Sequence, residues 1–168
     1  MVKTTQKKNK RPTWFRISVQ SETPKVSVPS LSKIRKWAKT ALSPHLSRGE
    51  LNICLVDKRR SRTLNKRYRR KDKPTNVLSF RADFPGRETF KVPLLGELVI
   101  CSAIVNREAK AQDKTPDAHW AHIIIHGTLH ILGYDHEQTD EARRMEGKEI
   151  KLLKQLDYRN PYRKLAHE

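Results

Sequence analysis

An α+β domain, with one mixed sheet of about four strands covered by helices, is the fold class this sequence predicts. Four short segments alternate in hydropathy or run apolar at strand length, and segments with helical apolar spacing separate them. The chain has 168 residues, which suits one domain with a real core rather than two. At 36% apolar, with 6 Gly and 9 Pro, it is lean but still foldable.

Taken in order, Phe15, Ile17 and Val19 alternate with polar residues and predict a first strand after a basic tail. Ser30 then stands where a helix cap belongs, ahead of Leu31, Ile34, Ala38, Ala41 and Leu42 at helical spacing. Leu51, Ile53 and Leu55 predict a second strand ending near Asp57. A short basic helix follows to about Tyr68, with Leu64 and Tyr68 on its apolar side. Val77 to Ala82 and Leu95 to Cys101 are the third and fourth strands, joined by a loop holding two prolines and a glycine. Ser102 is placed as the cap of a helix running to about Gln112. Thr115 and Pro116 occupy the cap and first position of the next helix, with Asp117 adding a negative charge to its first turn. That helix reaches Leu132 and stops at Gly133, a residue suited to a left-handed cap. A final helix, about Thr139 to Leu156, is expected to bury Met145, Ile150, Leu153 and Leu156. The domain therefore spans residues 13–157, between a basic, disordered tail at 1–12 and a loosely ordered one at 158–168.

Charge narrows the partners. Lys and Arg number 36 against 18 Asp and Glu, a formal net charge of +18. The excess is concentrated: Met1 to Arg16 carries six basic residues and no acid, and Lys58 to Lys73 carries ten with only Asp72 against them. Such a surface attracts a polyanion by counterion release; RNA, DNA and an anionic membrane surface all satisfy that condition. No apolar run exceeds four residues, against the roughly 20 a membrane span needs. The N-terminus also lacks the apolar region of a secretory signal. Cys54 and Cys101 lie in apolar stretches and read as two buried thiols of a cytoplasmic protein.

Five of the seven histidines fall between His119 and His136. His126 and His130 are four apart, so on a helix both rings share one face. Gly133 then lets the chain double back and bring His136 to the same point. Three neutral imidazoles leave a fourth position open for water, the arrangement of a catalytic rather than a structural zinc. His119 and His122 lie upstream near the same face and read as hydrogen-bonded helix residues, not ligands. The H-x-x-x-H-x-x-G-x-x-H spacing is that of a zincin-like metal-binding helix, with one departure. Metzincin proteases have a Glu directly after the first His as general base, and here that position is Gly127. Asp135, beside a ligand, either orients a histidine or assists proton transfer, or only ties down its loop.

The segment HGTLHILGYDH, His126 to His136, resembles the signature of the bacterial YbeY family of zinc-dependent endoribonucleases. LNKRYRRKDKPTNVLSF, Leu64 to Phe80, is similar to that family's second block, and LGELVI resembles its LGD-type strand with Glu97 in the acidic position. The blocks fit in order across about Leu51 to Leu156. The resemblance implies that His126, His130 and His136 bind one zinc ion and that Arg69 is the arginine needed for activity. By residue type alone, Arg67 and Arg70 serve as well, since a guanidinium fork matches phosphate oxygens. The resemblance further implies a single-strand-acting endoribonuclease of ribosomal RNA maturation, at the 16S 3′ end, and of ribosome quality control. Its implied partners are ribosomal RNA, the small ribosomal subunit and the Era GTPase. Two other readings compete with it. One is a non-catalytic, ribosome-associated RNA-binding factor with a structural zinc. The other is a metalloprotease, which Gly127 and the charge disfavour.

Overall fold

The computed structural model describes residues 12–163, so most of the basic N-terminal tail lies outside the described residues. Four strands, β1 (Trp14–Ser21), β2 (Arg48–Val56), β3 (Val77–Arg81) and β4 (Leu94–Cys101), form one sheet in the order β1-β2-β4-β3. The first three neighbours run parallel, and β3 lies antiparallel along β4 as an edge strand. Five helices complete the described chain: α1 (Leu31–Leu42), α2 (Lys58–Arg69), α3 (Ser102–Ala111), α4 (Pro116–Ile131) and α5 (Thr139–Gln155). The α+β class and the four-stranded mixed sheet are as the sequence predicts.

Alternation along the strands splits the apolar residues between two faces. Ile17, Leu51, Ile53, Leu55, Val77, Leu98 and Ile100 pack with α1, α3, α4 and α5 into the main core. Val56, Leu78 and Val99 point the other way and meet only Leu64 of α2, with Cys54 and Phe80 beside them. Helix α4 is therefore a core helix, buried through Trp120, Ile124, Ile125 and Leu129, while α2 is a thin cover on the opposite face. Capping explains where α4 begins and ends. Thr115 accepts from the Ala118 N–H at 3.2 Å, and Gly133 follows the helix at φ +100°.

The structure corrects several local expectations. Ser102 is not a cap: β4 runs directly into α3, so Cys101 takes the cap position without a side-chain bond. The Ser102 hydroxyl is buried without a partner. In α2 the fully buried residues are polar, Ser61 and Asn65, and Tyr68 is exposed. The reason is that α2 holds the following loop rather than a core. The Ser61 hydroxyl bonds both the N–H and C=O of Thr75, and the Asn65 amide donates to Lys73 C=O. In α5, Met145 and Leu153 are buried as expected. Ile150 and Leu156 are only half-buried, and Glu149 and Leu152 take the inner positions. Cys101 is buried, but Cys54 is half-buried on the lightly covered face; both are free thiols. After α5, Tyr158 sets its ring edge-on to Trp37, and Lys114 donates to Pro161 C=O.

Candidate metal centre

Helix α4 sits so close to the sheet that a side chain at Gly127 would crowd it. A Cβ on Gly127 would stand 3.0 Å from Leu98, 3.1 Å from Val77 and 3.3 Å from Ser79, and the Ser79 hydroxyl already donates to Gly127 C=O. The position after the first histidine therefore faces the sheet and has no room for a carboxylate. One residue back, His126 turns away from the sheet onto the same helical face as His130. Beyond Gly133 the loop returns and places His136 beside both, as the spacing predicts. Ring centroids are 4.7 Å apart for His126–His130, 4.9 Å for His130–His136 and 5.8 Å for His126–His136.

One nitrogen of each ring converges, all within 4.8 Å of one another. His126 Nε2 and His130 Nε2 face each other at 3.2 Å. Two lone pairs cannot stay that close without a proton or a cation between them. Nitrogens bound to one tetrahedral zinc stand roughly 3.3–3.4 Å apart, given Zn–N bonds of about 2.0–2.1 Å. Burial, together with the neighbouring His126 and His136, pushes His130 down to about 4. Its ring is thus neutral near pH 7, the state a metal ligand needs. The donor set fits a metal ion. Asp135 accepts from the His136 backbone N–H at 2.6 Å, so it ties down the loop that presents the third ring.

Sequence reasoning missed what lies behind His126. Glu149 of α5 is fully buried, and its carboxylate meets His126 Nδ1 at 2.5 Å and His122 Nε2 at 3.1 Å; Tyr162 donates its hydroxyl to the same group. Burial pushes this carboxyl up, but the hydrogen bonds from His122, His126 and Tyr162 outweigh it and hold the pKa down to about 2. His122 and His119 are hydrogen-bonded helix residues as expected: His119 pairs with Glu108 at 3.1 Å, and Asn76 donates to the same carboxylate. A core carboxylate at a helical position that pattern reading fills with an apolar residue was the available signal.

Among the described residues no hydrogen bond or ion pair joins Arg69 directly to the histidines. It is the last residue of α2, exposed, with no side-chain hydrogen bond or ion pair to another described residue. Edge strand β3 nevertheless links the two places. Phe80 packs against Tyr68, the residue before Arg69, with ring centroids 5.0 Å apart. The next residue, Arg81, points to the other face and puts Nη1 3.5 Å from where a Cβ on Gly133 would stand. The end of α2 that carries Arg69 and the histidine turn thus lie by neighbouring residues of the same strand, and Arg81 is a second cation there that the sequence did not single out.

An α+β protein whose three convergent histidines, on a zincin-like helix and turn without an adjacent glutamate, could hold a metal ion is the class these features define. Residues 16–157 match the family described as Endoribonuclease YbeY, so the chain belongs to the YbeY family. It is 46% identical over 149 residues to an Endoribonuclease YbeY from Cellvibrio japonicus (strain Ueda107), covering 88% of this chain and 83% of that protein. Among solved structures it is similar to the solution structure of a Thermotoga maritima protein, with a TM-score of 0.56 and 26% identity. That match covers 84% of this chain and 88% of the other. Among the described residues, no helix is long and apolar enough to cross a membrane.

Proposed function

We propose that the protein is a zinc-dependent endoribonuclease that cuts single-stranded RNA at the His126–His130–His136 group. The convergence of three imidazole nitrogens within 4.8 Å, in a chain of the YbeY family, carries this reading. Zinc is the metal we assign, because three neutral nitrogens with an open fourth position suit a catalytic zinc. When bound, it supplies Lewis-acid polarisation of a phosphoryl oxygen and of water. The chain's own residues do the rest. His126, His130 and His136 hold the ion, and Asp135 fixes the His136 loop. Arg69 meets the charge that grows on the non-bridging phosphate oxygens, where a guanidinium fork fits best.

Charge supports a nucleic-acid substrate. The ten basic residues of Lys58 to Lys73, on α2 and the loop after it, hold the backbone electrostatically. A single strand is the form of RNA we assign, in keeping with the resemblance to the family. The cellular role we assign is ribosomal RNA maturation at the 16S 3′ end, together with ribosome quality control. The small subunit and the Era GTPase are the associated partners, and the cytoplasm is the place of action. A protease reading is disfavoured by the packing at Gly127, which leaves no room for a general base. Assaying purified protein on single-stranded RNA, duplex RNA and casein, with zinc and with chelator, tests the proposal. Chelator-sensitive cleavage of single-stranded RNA alone supports it. Binding of RNA without cleavage favours a scaffold, and casein hydrolysis a protease.

A further inference from the structure

Carboxylates rarely stand at the inner position of a core helix, because burying a charge is costly unless it is paired. Glu149 stands there with 0% exposure, between buried Met145 and Leu153 of the same α5 face. Its two oxygens are shared out: Oε1 faces His126 Nδ1 at 2.5 Å, and Oε2 faces His122 Nε2 at 3.1 Å and takes the Tyr162 hydroxyl. Tyr162 comes from the turn after α5. That turn is fastened by Lys114, which donates to Pro161 C=O at 3.1 Å, and by the Tyr162 N–H on Asn160 Oδ1 at 2.9 Å.

We infer that Glu149, held by Tyr162 and His122, is the positioning residue of the metal centre: it fixes the His126 ring and its tautomer so that Nε2 faces the ion. A carboxylate accepting from Nδ1 places the proton there and leaves the Nε2 lone pair free toward His130 and His136. It also makes that nitrogen a better donor. The C-terminal turn is therefore part of the metal centre, although it lies outside the histidine motif. His122, His126 and Glu149 also lie close enough together to be a second metal group. Their atoms, however, already serve one another as hydrogen-bond partners, and the Tyr162 hydroxyl takes a further position on the carboxylate.

The inference rests on the three-histidine reading, and the test separates the two. Zinc affinity and stoichiometry are measured by chelator competition on the full chain and on Glu149→Gln and Tyr162→Phe. Melting of each zinc-free form is followed in parallel, and histidine ring tautomers are read by long-range 1H–15N NMR. Glu149→Gln is expected to weaken zinc binding about 10- to 100-fold. It should also shift His126 away from the pure Nδ1–H tautomer. Tyr162→Phe, a change at a partly exposed ring, is expected to fold normally and weaken zinc by a smaller factor in the same direction. A merely structural Glu149 would lower the melting temperature and leave both the affinity and the tautomer unchanged. Parent-like zinc affinity in both folded variants overturns the inference alone, as would two zinc ions per chain. A parent chain that binds no zinc overturns the three-histidine reading and this inference together.

Discussion

His126 and His130 present their Nε2 atoms to each other at 3.2 Å, an arrangement stable only with a cation or proton between them. Each of His126→Ala, His130→Ala and His136→Ala is therefore expected to lower bound zinc on elemental analysis, whereas His119→Ala, which pairs with Glu108, retains it. In the metal-free protein the same ring sets an acid limit. His130 is held down to about 4 against an ordinary value of 6.5. Below pH 6.5 the unfolded chain takes up a proton that the folded chain refuses, so stability falls progressively between pH 6.5 and 4. Glu149, held down to about 2 from 4.5, adds a second loss below pH 4.5, as its protonation in the unfolded chain is opposed in the folded one. Urea midpoints of metal-free protein are expected to drop in both windows; a flat profile from pH 7 to 4 would contradict these assignments. Arg69 belongs to the residue scale too. Arg69→Lys keeps charge and loses the fork, so single-turnover cleavage is expected to fall on the order of 100- to 1000-fold with zinc content intact. Lys25→Arg, on an exposed loop far along the chain, should cleave like the parent.

Helix ends show how much of each element was legible. The start of α4 could be read from Thr115 and Pro116, and its end from Gly133, because those residues carry their conformational preferences with them. The ends predicted for α2, α3 and α5, near Tyr68, Gln112 and Leu156, also fall within a residue of those observed, and left-handed Arg70, Asp113 and Asp157 follow them. Arg70, at φ 58°, is a testable case. Arg70→Gly relieves the Cβ crowding of that conformation and is expected to raise stability by about 0.5–1 kcal/mol in thermal melts. Gly127 runs the other way. Gly127→Ala pushes a methyl against Leu98, Val77 and Ser79 at 3.0–3.3 Å, with an expected loss of about 1–3 kcal/mol. The three histidines could be read from local spacing along one helix and one turn. Glu149 and Tyr162 could not, since they reach His126 only through the packing of α5 and the C-terminal turn on α4. Likewise Ser61 and Asn65 were hidden because α2 uses its inner side to hold a loop, not to fill a core.

At the scale of the whole molecule, α1, α3, α4 and α5 bury one face of the sheet and α2 thinly covers the other, so edge strand β3 separates a strongly basic helix from the histidine turn. The proposed RNA contact and the proposed metal site thus fall on different elements. Deleting Met1 to Lys10, which carries Lys3, Lys7, Lys8 and Lys10, is expected to weaken RNA binding and flatten its salt dependence while leaving cleavage at saturating RNA little changed. An unchanged salt slope would remove that segment from the RNA footprint. The most direct test of the metal centre as the seat of RNA cleavage is single-turnover cutting of a single-stranded RNA by the parent and by His130→Ala, each with one equivalent of zinc and with excess chelator. Cleavage by the zinc-loaded parent that disappears with chelator, and is absent from folded His130→Ala under both conditions, is the expected result. Parent-like cleavage by His130→Ala, or by the parent in excess chelator, would contradict it.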